Sequence, residues 1–88
     1  MRFTFNPDKD AVNVAKHGIS FAQAEVLEWD SAVTWTDDRR DYGEARQCAI
    51  GYIGVRLYLA VFVDRQTGRH SISLRKANLR EERRYANT

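Results

Sequence analysis

A second cysteine is missing from this sequence, and with it any internal disulfide or paired-thiol zinc site; Cys48 stands alone among 88 residues. A reducing compartment fits that usage. Proline occurs once, and the five glycines never cluster into a linker, so one small domain over residues 1–88 is expected. No apolar run approaches the ~20 residues needed to cross a bilayer. The start, Met1-Arg2-Phe3-Thr4-Phe5-Asn6-Pro7-Asp8, carries no apolar signal core. A cytoplasmic protein without a membrane partner is expected. P-loop, dinucleotide fingerprint, metal-binding histidine pair and nucleophile elbow are all absent, and no cofactor or metal is expected. Asp37, Asp38 and Asp41 are the only acidic cluster, and with Arg39 and Arg40 between them they fit a solvated turn better than a two-metal site.

Charge is present in quantity but unevenly. Residues 1–44 carry five Lys/Arg against nine Asp/Glu, a net of −4, and residues 45–88 carry nine against three, a net of +6. A basic half is a footprint for phosphate or for an acidic partner; interleaved charge that merely solvates a small surface is the competing account.

The order of elements is legible. Phe3 and Phe5 alternate with polar neighbours as a short strand. Asn6 caps a helix with Pro7 at its first position and Asp8 at the positive end of the dipole; Lys16, His17 and Gly18 close it, so a helix over Pro7–His17 is expected, burying Val12 and Ala15. Ser20 and Gln23 have capping-box spacing for a second helix whose inner face is Phe21, Ala24 and Leu27. Ala32–Thr36 reads as a short strand. Three strand-like runs follow, about Ala45–Tyr52, Val55–Val63 and Arg69–Arg75, as an antiparallel meander. Val55, Leu57, Leu59, Val61 and Val63 share one side of the middle run, and Arg46, Cys48 and Ile50 fall together on the first. Beyond Lys76 the residues favour a helix with Asn78 and Glu81 as cap and N3 partner. The expected class is α+β: a small antiparallel sheet with helices on one face, in the order β-α-α-β-β-β-α.

The chemistry-bearing residues are cations. Alternation along Arg69–Lys76 places Arg69, Ser71, Ser73 and Arg75 on one side and His70, Ile72 and Leu74 on the other. Arg46, Arg69, Arg75 and Lys76 lie on or beside adjoining strands, where arginine binds phosphate through paired hydrogen bonds or, alternatively, keeps an edge soluble and pairs with Glu44 and Glu81. His17, at a helix end, is either a dipole partner or an acid–base group. Tyr85, Trp29 and Trp35 either stack on bases or fill the core.

Four motifs in order then carry a resemblance that spans nearly the whole chain. They are Phe5-Asn6-Pro7-Asp8-Lys9 with Asn13; Lys16-His17-Gly18-Ile19-Ser20-Phe21 with Ala24; Tyr42-Gly43-Glu44 with Arg46 and Gly51; and Ile72-Ser73-Leu74-Arg75-Lys76-Ala77 with Glu81 and Tyr85. In these the chain resembles the BrnT family of toxins from bacterial type II toxin–antitoxin systems. The resemblance implies a RelE-like fold and a metal-independent endoribonuclease that cleaves RNA and halts translation. It also implies neutralisation by a BrnA-type ribbon-helix-helix antitoxin, with operator DNA reached only through the complex. On that basis Arg46 and Arg75 are expected to stabilise charge, Glu44 or His17 to transfer protons, and Lys16, Lys76, Arg69 and Tyr85 to contact RNA or its phosphates. Glu44 has a second role open to it, orienting Arg46 through a salt bridge. Where the family pattern has Arg then Ile, this chain has His70 and Ser71, which puts Arg69 out of place; a His70 turned toward the cationic side is an added acid–base candidate. The rival class is a non-catalytic nucleic-acid or protein interaction module that uses the same basic face.

Overall fold

In a computed structural model, residues 2–88 are described. They form five strands, β1 (Phe3–Thr4), β2 (Val33–Asp37), β3 (Arg46–Ile53), β4 (Arg56–Arg65) and β5 (Gly68–Lys76), and two helices, α1 (Pro7–His17) and α2 (Leu79–Ala86). The sheet order is β1-β5-β4-β3-β2. The α+β class holds. The sheet is mixed, however, because β1 lies parallel to β5 while β2 to β5 run antiparallel to their neighbours.

One face of the sheet is closed. Two short 3₁₀ segments, Phe21–Val26 and Trp29–Ser31, replace the expected second α-helix. The Ser20 hydroxyl accepts from Ala22 N–H, not from Gln23, and donates to Asp10, whose other carboxylate oxygen takes the Phe21 N–H. The inner residues are the expected ones: Phe21, Ala24 and Leu27 bury against Ala49, Ala60, Phe62 and Leu74. Gly51 is what lets the segment come close, since a Cβ there would lie 2.5 Å from Leu27 Cδ2. Trp29 fills the far end, its ring 5.4 Å from both Phe3 and Phe62.

Helix α1 has the expected ends, with the Asn6 side chain accepting from Asp8 N–H at 2.8 Å and Gly18 in the left-handed region at φ 73°. Its buried residue is different. Val12 is 63% exposed and Ala15 is exposed, while Asn13 is 6% exposed. The cause is docking against a strand edge: β1 pairs with β5 only at Arg69 and His70. Further along, the Asn13 amide takes over, donating to Leu74 O at 2.9 Å and accepting from Leu74 N–H at 3.4 Å. A polar side chain supplies what an edge strand's backbone needs.

Helix α2 corrects the one-face expectation. Ala77 is buried as the chain leaves β5, and the helix covers the opposite face, where Tyr85 packs with Cys48, Ile50, Leu57 and Leu59. Its start is the capping box read from sequence, with Asn78 Oδ1 accepting from Glu81 N–H and Glu81 accepting from Asn78 N–H, both at 2.9 Å. The helix is short and covers only part of this face, leaving the rest open.

A β-bulge decides which side chains reach that open face. Val61 pairs with Ser73 but Phe62 pairs with Ser71, so Ile72 is an extra residue and the alternation of β5 reverses across it. Arg69 and Ser71 therefore lie on the closed face with Leu74, and His70 joins Ser73 and Arg75 on the open one. The expected partition of this strand is overturned by that one residue.

Candidate functional site

On the open face a cleft of about 560 Å³ is floored by Cys48, Leu59 and Val61 of the sheet. The start of α2 walls one side with Asn78, Arg80, Glu81 and Arg84; Trp35 and the Asp37–Arg39 turn wall the other. Arg75 enters from β5, both terminal guanidinium nitrogens bonded to the Glu81 carboxylate at 2.8 Å. Burial pulls the Glu81 carboxyl upward, but the Arg75 guanidinium and the Asn78 N–H outweigh it and hold it below the usual glutamate value. Arg84 lies over Trp35, its guanidinium carbon 3.7 Å from the ring centre. Burial pushes the Cys48 thiol at the floor upward, which keeps it protonated and unreactive at neutral pH.

Asp37 is 7% exposed, not the solvated turn residue its loop suggests. Arg39 binds both its oxygens at 2.9 Å and the Tyr42 hydroxyl donates to it at 3.1 Å, so its carboxyl is held well below the ordinary range, first by Arg39. The pinned Tyr42 presents its ring to Arg46, whose guanidinium carbon lies 4.1 Å from the ring centre. Stacking on a ring fixes a guanidinium without consuming its N–H donors. Among the described residues no hydrogen bond engages the side chain of Arg46 or of Arg84, so each keeps its donors for a ligand.

The predicted site residues separate into two groups. Arg46, Arg75 and Tyr85 reach the open face, and Glu44 stands beside Arg46 at its rim. Glu44 does not bind Arg46: Arg65 takes its two oxygens at 2.7 and 3.1 Å and is the first cause of its lowered carboxyl pKa. Tyr85 packs edge-on to Tyr52 at 5.5 Å, a core contact. Arg69 lies on the closed face over Trp29 and Phe62 and is bonded to Asp64 at 3.0 Å. Lys76 pairs with Tyr58 on the closed side of the sheet. Lys16 and His17 stand on the last turn of α1, docked at the β5 edge. Arg46 and Arg75 share a face without converging, since their rows lie four β4 residues apart, about 13 Å along the strand. Arg39, Arg80 and Arg84 were missed by sequence reasoning. The i, i+4 spacing of Arg80 and Arg84 on the final helix was the available signal.

Residues 5–81 match the family model described as ribonuclease toxin, BrnT, of type II toxin-antitoxin system. No curated protein matches the chain.

Proposed function

Because this chain belongs to the BrnT family of ribonuclease toxins of type II toxin–antitoxin systems, we propose that it cleaves RNA laid across the open face of the sheet without the help of a metal. The observation that carries this is how the charges on the open face are engaged. Arg46 and Arg84 are fixed on aromatic rings with their donors free. The acidic groups Asp37, Glu44 and Glu81 are each bound by a different arginine, so they do not converge as a set of carboxylates. Preorganised cations stabilise the extra charge of the transition state when the 2′-hydroxyl attacks its own phosphate, and that route needs no ion. Products with 2′,3′-cyclic phosphate and 5′-hydroxyl ends follow.

In this scheme Arg46 and Arg75, about 13 Å apart along the strand, contact different phosphates of one bound strand. Arg46, beside Glu44, stabilises the reacting group; Arg75, held by Glu81, positions a neighbouring phosphate together with Arg80 and Arg84. Glu44 is the base of the scheme. Lys16, His17, Lys76 and Arg69 have no part in the cleft chemistry, and Tyr85 anchors α2. A type II toxin has a protein antitoxin, and the partner proposed here is of BrnA type, with a ribbon-helix-helix region, covering the open face and relieving inhibition of translation.

Product-end analysis tests the proposal. Purified chain incubated with RNA and a chelator is expected to leave cyclic phosphate ends and to spare DNA, which lacks the attacking hydroxyl. Ends carrying 3′-hydroxyl, or activity that disappears with chelator and returns with magnesium, overturn it.

A further inference from the structure

The β-bulge at Ile72 changes which groups meet at the Arg46 end of the open face. Thr4, His70 and Val63 form one row across β1, β5 and β4, and Arg46 follows on β3, one residue beyond the Gln47–Phe62 pair. Val63 is 4% exposed although α2 packs at the other end of the sheet. Paired residues stand about 4.5–5.5 Å apart at Cβ, so His70 and Arg46 flank Val63 on the open face, with Glu44 near enough to both that each helps lower its carboxyl pKa. The His70 ring is tethered at Nδ1, 3.0 Å from the Thr4 hydroxyl. No hydrogen bond among the described residues engages its Nε2.

The charged groups near His70 on its side of the sheet are Glu44 from the loop, Arg46 from β3, Arg65 from β4 and Arg2, which precedes Phe3 and lies beside Gly68. Asp64 and Arg69 lie on the closed face and bind each other. Glu44, held ionised by Arg65 first and then by His70 and Arg46, is suited to accept a proton and not to give one. Arginine releases none near neutrality. Imidazole is the group in this row that carries a proton and parts with it.

Resting on the RNA-cleaving proposal above, we infer that His70 is a catalytic residue, the general acid that protonates the leaving 5′-oxygen. The bond from the 2′-oxygen to phosphorus forms, its proton passing to Glu44. The phosphorus–O5′ bond breaks, and the proton on His70 Nε2 passes to O5′, giving a 2′,3′-cyclic phosphate and a 5′-hydroxyl. Solvent returns a proton to His70 and removes one from Glu44.

The test uses two short RNAs containing a site that the wild-type chain cuts, one natural and one with sulfur replacing the bridging 5′-oxygen, whose thiolate leaves without protonation. His70→Asn is expected to slow cleavage of the natural RNA by about 10²–10⁴-fold, to cut the sulfur-bridged RNA near the wild-type rate, and to lose the alkaline limb of the pH–rate profile. His70→Gln is the second variant should Asn disturb the strand. Equal defects on both RNAs, or an undiminished rate on the natural one, overturn the assignment while leaving the cleavage proposal standing. A wild-type chain that cuts no RNA overturns the premise as well.

Discussion

The two faces of the sheet use the same contact to opposite ends. On the closed face Arg69 lies over Trp29 and Phe62, and on the open face Arg46 lies over Tyr42 and Arg84 over Trp35. The difference is the carboxylate. Asp64 binds Arg69 and completes its role inside the fold, whereas the open-face pair have rings beneath them and, among the described residues, no acid bonded to them. A stacked arginine is thus structural or available according to what meets its edge.

The largest expected effect falls on the closed face. Leu74→Ala removes a side chain with no exposed surface and is expected to cost about 2–5 kcal/mol, read as a lowered denaturant midpoint with unchanged cleavage per folded molecule. On the open face Arg46→Ala is expected to do the reverse. It should reduce RNA cleavage by about 10²–10³-fold, the loss typical of one transition-state donor, with a thermal melt close to wild type; an inactive variant that is simply unfolded would dissolve the contrast. Smaller is Asn13→Ala, which strips partners from the buried Leu74 backbone and is expected to cost about 1–3 kcal/mol, with faster hydrogen exchange at the β5 edge.

The smallest effect depends on pH. Glu81 is held below its ordinary value of 4.5, with burial opposed by the Arg75 bonds and the Asn78 N–H. Its folded pKa is depressed, so the stability it contributes is present above about 4.5 and is lost as pH falls through the lower folded value. Glu81→Gln is expected to be less stable than wild type by about 1 kcal/mol or less at pH 7, the gap narrowing below pH 4.5. A gap that is constant with pH would mean that the pair contributes packing and not charge.

Local signals carried much of this architecture. The caps of both α-helices, the inner residues Phe21, Ala24 and Leu27, and the side shared by Leu57, Leu59, Val61 and Val63 follow from spacing, because each depends on neighbours a few residues away. What escaped depends on partners far along the chain. Asn13 is buried in place of Val12 because a strand edge with bare backbone groups meets α1, and nothing near Asn13 announces that edge. The bulge at Ile72 lies inside an unbroken alternating pattern, so His70 and Arg69 exchanged faces without leaving a trace in composition. Of the candidate site, Arg75 lines the cleft and Arg46 lies on the same face beyond it, but their distance from Lys16, His17, Lys76 and Arg69 is a matter of sheet order that motif spacing does not encode.

The amide clasp between Asn13 and Leu74 also orders events in time. It joins residues 61 apart in sequence, and β1 waits on β5 in the same way. During synthesis the first helix therefore emerges with its docking edge still unmade, and the sheet's open face has neither His70 nor Arg75 until the last third of the chain appears. A nascent fragment that stops short of β5 lacks the proposed acid, the proposed second phosphate contact and a closed core, so the groups proposed to act on RNA come together last.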